Sequence, residues 1–244
     1  PIGNAANPFT GVFDGAGYVI TGLVINRPSK NEAGLFGRTS NSAEISNLGL
    51  VSANISANAS VGALVGYNQG TITSCYATGT VAANNDSVGG LVGKNYQGTI
   101  SLSYAKVNVT AGEDGVAGGL VGENYQGTVQ DAYATGGVSS TGNSIGGLIG
   151  YNYGNGTVVS CYATGSVSGN TYIGGLIGYN HLGSVSSCYA RGNVSGEDYV
   201  AGFVGTNSGS TITFCYATGA VSSAFRVGGF AGPFSSGTIT SSYW

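Results

Sequence analysis

IGGLIG at residues 145–150 is the phrase on which the reading of this chain turns. It returns as AGLFG at 33–37, VGALVG at 61–66, VGGLVG at 88–93, AGGLVG at 117–122, IGGLIG at 173–178, AGFVG at 201–205 and VGGFAG at 227–232. Its central position holds Leu35, Leu64, Leu91, Leu120, Leu148, Leu176, Phe203 and Phe230, at separations of 29, 27, 29, 28, 28, 27 and 27 residues. A period fixed near 28 residues describes stacked copies of one small unit, none of which can bury a core alone.

Outward from the phrase, residues 145–169 read IGGLIG, a bend YNYGNG, a strand TVVS, then CYATG and SVSG. Each unit holds short apolar pieces separated by Gly, Asn and Ser, without the i, i+3, i+4 stripe of a helix. Residues 1–32 differ, with Phe9, Phe13, Tyr18, Ile20, Leu23 and Ile25 between bends, and form an opening coil of short strands. The expected fold is all-β: a parallel β-solenoid, a right-handed β-helix of eight to nine coils rising about 4.8 Å each. One domain spans 1–244, with the opening coil at 1–32 and the repeats at 33–244.

Charged residues make up 7% of the chain and Gly 46 of its 244 residues, so the surface must be Ser, Thr, Asn and Tyr. A net charge of −3 with seven scattered Lys and Arg removes the basic footprint of a nucleic-acid binder. No apolar run approaches the roughly 20 residues of a membrane-spanning helix. The start at Pro1 reads as a processed or excised chain. Low charge and N-x-S/T acceptors at Asn54, Asn58, Asn85, Asn108, Asn155 and Asn193 suit an extracellular or cell-surface setting.

Substitutions between copies show which side chains face out. The slot after the alanine of CYAT holds Thr78, Lys106, Thr135, Thr164, Arg191 and Thr218, and unpaired cations do not enter a narrow core. Alternation then points Cys75, Cys161, Cys188 and Cys215 inward and Tyr76, Tyr104, Tyr133, Tyr162, Tyr189, Tyr216 and Tyr243 outward, as one aromatic ladder. Asn68, Asn95, Asn124, Asn152, Asn180 and Asn207 follow a slot containing Lys94 and Glu123, so they point inward and form a structural amide ladder. In the GLxG phrase two neighbouring positions are apolar in every coil. Either a glycine bulge brings both inside, or one row lies outside.

Chemistry-bearing residues are sparse. His181 replaces Tyr125 or Tyr153 of other coils and reads as a solvent-facing loop residue. Asp86, Glu113, Asp114, Glu197 and Asp198 recur at one turn and read as solvated. The expectation is no metal, no cofactor and no catalytic set. The cysteines of one column, Cys161, Cys188 and Cys215, are close enough for a disulfide between neighbouring coils, or serve as small buried filler; Cys75 has no stacked cysteine neighbour.

The recurring G-L-x-G, Asn bend, G-T-[IV] and CYATG-x-V-S-G resemble the GLUG repeat family, and PFTGVFDGAGYVITGL resembles the segment that precedes such repeats. The resemblance implies a large secreted or surface-anchored bacterial or archaeal protein, adhesin-like, or a relative of metallopeptidases that cut immunoglobulin A. This chain has one histidine and no H-E-x-x-H, so peptidase activity does not carry over.

The expected function is a non-enzymatic extracellular structural rod, a surface filament subunit or adhesin stalk. Its partners are copies of itself, head to tail through open solenoid ends or laterally, or the rest of a longer surface protein. The alternative is a carbohydrate- or host-binding adhesin module using the Tyr/Thr face, with glycans or a host surface as partner. A third reading is a polysaccharide-active β-helix enzyme.

Overall fold

The computed structural model describes the whole chain except Phe234 and the side chain of Asp114, so the acidic position at 114 lies outside the described residues. Among the described residues there is no helix, and every strand pairing is parallel and joins one coil to the next. Strands of three residues from Val12–Asp14 to Thr238–Thr240 stack into a nine-strand sheet that runs nearly the length of the chain. At the spacing of about 4.8 Å between strands this gives a rod of roughly 40 Å. A seven-strand sheet runs from Phe36–Arg38 to Val204–Ser208. The third sheet is built of long strands such as Tyr76–Gly89 in the N-terminal half and of short ones such as Tyr162–Ala163 later.

The corners explain the GLxG phrase. The strand ending at Gly89 stops and the chain bends over Gly90 and Leu91 before Val92–Tyr96 begins. Leu64 and Val65 both donate their N–H groups to the carbonyl of Leu91, and Leu120 and Val121 to that of Leu148. Two consecutive donors on one acceptor mark a turned corner, so both apolar neighbours face the core. Leu64, Val65, Leu91, Val92, Leu148 and Ile149 are all buried. The question left open by the sequence is settled: the second row is inside, brought there by the corner. The glycines permit the closeness. A Cβ on Gly118 would stand 1.9 Å from the carbonyl oxygen of Val121, and one on Gly119 would stand 2.1 Å from that of Gly147.

The Asn column is wholly buried. Each Nδ2 of Asn68, Asn95, Asn124, Asn152 and Asn180 donates to the Oδ1 of the next at 2.8 Å. Asn95 and Asn124 use their second Nδ2 proton on the carbonyls of Gly98 and Gly127, at 2.9 and 3.0 Å. Thr39 closes the N-terminal end by donating to Asn68 Oδ1 at 2.7 Å.

The disulfide considered among Cys161, Cys188 and Cys215 is not formed; all cysteines are free and buried. Each thiol is committed elsewhere. Cys161, Cys188 and Cys215 each donate Sγ–H to the carbonyl two residues back at 3.1 Å. Cys188 and Cys215 also accept the N–H of the preceding coil's cysteine at 3.3 and 3.4 Å. Ser103 does the same, donating to Ser101 at 2.7 Å and accepting from Cys75 at 3.0 Å. In coils that carry Cys or Ser the slot is a hydrogen-bonding bracket, whereas Ala132 fills the same slot as a small buried residue.

Candidate functional site

All of the chain's tyrosines except Tyr18 fall into two aromatic systems, on different faces. The first is the ladder on the third sheet. Ring centroids of Tyr76, Tyr104, Tyr133, Tyr162, Tyr189 and Tyr216 lie 4.7 to 5.1 Å apart with planes within 8°, and Tyr243 follows at 5.7 Å and 11°. Stacked this closely, each inner ring has both faces covered and presents only an edge and a hydroxyl. Lys106 lies 5.4 Å from the Tyr104 ring centroid, and Arg191 lies 4.9 Å from that of Tyr189 while donating to Tyr216 Oη at 2.9 Å.

The second system was not singled out from the sequence. It lies on the seven-strand sheet and joins three sets of residues: Tyr67, Tyr151 and Tyr179 just before the buried Asn, Tyr96, Tyr125, Tyr153 and His181 just after it, and Tyr172 and Tyr199 at the preceding corner. Centroids run from Tyr96 to Tyr125 at 4.9 Å, to Tyr153 at 4.8 Å, to Tyr151 at 4.4 Å, to Tyr179 at 5.1 Å, to Tyr172 at 5.4 Å and to Tyr199 at 4.9 Å. Several of these pairs are tilted, by 31° for Tyr96 with Tyr125, 48° for Tyr125 with Tyr153 and 36° for Tyr172 with Tyr199. The signal was present: once the Asn side chains point in, their chain neighbours must point out.

The chain's ion pairs among the described residues gather on this band. Arg38 pairs with Glu32 at 3.2 Å, Lys94 with Glu123 at 2.7 Å and Arg226 with Asp198 at 2.6 Å. Arg38 and Arg226 also sit over the rings of Tyr67 and Tyr199, at 3.9 and 4.1 Å. The Lys94 and Glu123 slot faces away from the core, yet Glu123 is only 7% exposed because Lys94 and Tyr153 cover it. Tyr153 donates its hydroxyl to Glu123 at 3.0 Å. Burial disfavours the Glu123 charge, but Lys94 more than offsets this and holds the carboxyl below the usual glutamate range. Burial, and then the Glu123 charge, push Tyr153 up to about 12. Burial and the same neighbouring charge raise Asp86.

His181 departs from the expected solvent-facing loop residue. It ends the strand Ile177–His181, is half-buried beside Tyr179, and its Nδ1 is buried without a hydrogen-bond partner. Thr206, one coil on from Tyr179, also has a buried Oγ1 without a partner. The acidic turn residues divide: Asp198 is paired, whereas Glu113 and Glu197 are exposed. Among the described residues no three His, Cys, Asp or Glu side chains form a metal-ligating group.

Of the N-x-S/T acceptors, Asn54, Asn85, Asn108, Asn155 and Asn193 are exposed and Asn58 is half-buried. Asn58 lies inside a short outer amide chain, donating to Asn31 and accepting from Asn85, each at 2.9 Å. A cleft of about 310 Å³, lined by Ser140, Thr141, Gly169, Asn170 and Glu197, opens at a bend within the third sheet. A second, of about 350 Å³, is lined by Asn155, Thr157, Leu182, Gly183, Ser184, Gly209 and Thr211, where the seven-strand sheet passes into the nine-strand sheet.

Two relatives match parts of the chain. Halomucin of Haloquadratum walsbyi is 42% identical over 95 residues, 38% of this chain and 1% of that protein. A protein of Evansella cellulosilytica, provisionally named a Gly-rich membrane protein, is 47% identical over 75 residues, 30% of this chain and 9% of that protein. The chain thus spans a small fraction of either relative. A crystal structure from Bacteroides ovatus, described provisionally as an immunoglobulin A1 protease, superposes with a TM-score of 0.60 at 23% identity, covering 75% of this chain and 61% of that one. That likeness concerns the fold. The family profile described as the GLUG motif matches five consecutive stretches, residues 57–82, 84–110, 114–139, 141–168 and 169–195, which together make up more than half of the chain, and the chain belongs to that family.

Proposed function

We propose that this chain is a non-catalytic structural rod displayed at the cell surface, a stalk or filament segment of a larger repeat protein. The observation that carries this reading is the coil-to-coil commitment of its inward polar side chains. The amide ladder and the Cys/Ser brackets spend their hydrogen bonds on neighbouring coils, as expected of a molecule whose task is to hold length and shape. The names of the matched relatives, a halomucin and a membrane protein, support a surface location. Inward-facing apolar residues are left partly exposed in the first and last coils, Phe13, Ile20 and Ile25 at one end and Val227, Phe230 and Ile239 at the other, whereas their partners one coil in are buried. A further coil stacked there, from a longer chain or from a second copy, would cover them.

The exterior Tyr/Thr face suits structure better than recognition, since its ring faces are already occupied by one another. Polysaccharide cleavage lacks support from that face as well, where Lys106 and Arg191 pair with tyrosines. Antibody against this chain should label intact source cells; label that enters only after lysis would sink the surface assignment. Electron microscopy of the purified chain over a concentration series tests assembly. Filaments growing with concentration support head-to-tail stacking, and dispersed rods of about 40 Å at every concentration refute it.

A further inference from the structure

The 310 Å³ cleft lies at a bend within the third sheet, between Val138–Ser140 and Asn143–Gly146 in one coil and at the same place in the next two. Beside it the residue in one column changes. Ala57, Ala83 and Ala111 stack in register up to Ser140, and the next coils place Gly169 and Gly196 there, one residue beyond the paired Ser139, Ser168 and Ser195. Ile145 and Ile173 take up the room of the missing methyls, standing 2.8 and 2.2 Å from where a Cβ of Gly169 and of Gly196 would lie. The cleft is a surface groove contributed by three successive coils, so it runs along the rod axis.

Its walls are polar and uncommitted. Among the described residues the side chains of Thr141, Asn170 and Glu197 make no hydrogen bond to the protein, whereas outer amides elsewhere pair between coils, as Asn31 with Asn58 and Gln97 with Gln126 do. Two residues beyond Asn170 and Glu197 stand Tyr172 and Tyr199, half-buried, with backbone φ of 57° and 52°. Their rings are tilted by 36°, and Tyr172 continues into the band through Tyr179, behind which lie the orphaned polar atoms of His181 and Thr206.

We propose that this bend binds a neutral polysaccharide strand laid parallel to the rod axis, its hydroxyls on Asn170 and Glu197 and a C–H edge against the rim of Tyr172, whose ring rests on Tyr199 and Tyr179. The dimensions favour it: about 310 Å³ is at the small end of ligand sites and suits a few sugar units. So does the chemistry, since amide, hydroxyl and carboxylate groups beside an aromatic ring match a ligand whose edges are hydroxyls and whose faces are C–H. Charge removes the ionic alternatives. Asp198 is satisfied by Arg226, leaving Glu197 as the single charge in the cleft lining, which repels a polyanion and is too little for a polycation. A repeat of about 4.8 Å per coil offers successive sugars one polar side chain each, Thr141, Asn170 and then Glu197.

Affinity gel electrophoresis of the purified chain in laminarin, mannan or xylan, with heparin as a polyanion control, tests this. Retardation by at least one neutral polymer is expected, weakened at least tenfold in Asn170→Ala and Tyr172→Ala, and changed less than twofold in Tyr162→Ala on the stacked ladder. Glu197→Gln, at an exposed position, guards against misfolding and should weaken binding severalfold with an unchanged thermal midpoint. Absence of retardation by all three neutral polymers overturns the proposal. So does retardation by heparin alone, or wild-type binding by the cleft variants. Binding to the isolated chain does not depend on where the protein resides, so failure here leaves the surface-rod reading standing.

Discussion

Asn124 holds a position that other polar side chains would fill badly. It accepts from Asn95, donates to Asn152 at 2.8 Å and donates to the Gly127 carbonyl at 3.0 Å, with no water in reach because it is fully buried. Asn124→Ala leaves a donor and two acceptors unpaired, each costing about 1–3 kcal/mol. We expect a loss of roughly 3–5 kcal/mol in urea unfolding, and a smaller one for the last rung, Asn207→Ala; equal losses at both would show that the ladder does not act as a chain. Glu123 carries a pH dependence. Its folded pKa lies below its ordinary value, so its stabilising effect is present above the ordinary glutamate range and lost as pH falls through the folded value. Glu123→Gln should therefore cost about 1.5–3 kcal/mol near neutrality, the gap to the natural protein closing in acid; a gap independent of pH would refute the pairing with Lys94. Burial raises Cys75 to about 11, hydrogen bonding between the thiols and then burial raise Cys215, and all four cysteines are buried. A thiol reagent at neutral pH should find none in the folded chain and four after denaturation, whereas fewer than four after denaturation would point to a disulfide.

Between residue and rod stands the stacked column, and the tyrosine ladder separates stabilisation from recognition. Tyr133 lies 4.7 Å from both Tyr104 and Tyr162, with planes within 4°. Each such pair contributes about 0.5–1.5 kcal/mol, so Tyr133→Ser should lower stability by roughly 1–3 kcal/mol while leaving the circular dichroism spectrum unchanged. No loss in thermal unfolding would remove the structural role assigned to this face. The columns also show what the residue string could convey. Lys106, Arg191, Lys94 and Glu123 fixed the parity of their strands, and from parity alone the Tyr ladder and the Asn ladder could be placed. The second aromatic band escaped because its rings come from three different columns, and only the corner at Tyr172 and Tyr199, with both residues in the left-handed region, brings the third beside the other two. The Cys/Ser bracket escaped for another reason: it depends on a side-chain rotamer that periodicity does not encode.

At the scale of the molecule, a repeat stack makes stability a sum of coils and the contacts between them, so a whole coil should be removable where a fraction is not. Deleting residues 146–173 joins Ile145 directly to Gly174 and restores the phrase IGG. Asn124 then faces Asn180, Tyr133 faces Tyr189, and Val129 faces Val185, each pairing like with like. The covering contact to Glu123 passes from Tyr153 to His181, whose Nδ1 lacks a partner in the intact chain. The shortened protein is expected to keep its β spectrum and cooperative melting, with a scattering envelope shorter by about 4.8 Å and a lower midpoint. Deleting only residues 146–159 instead puts the Cys161 and Tyr162 segment where a corner is needed, sets every later ladder out of step, and should give an unfolded or aggregated product. If both deletions fold equally well, register between coils does not hold this molecule together; if neither folds, the coils are not interchangeable units and the length of the rod is fixed by the ends rather than by the repeat.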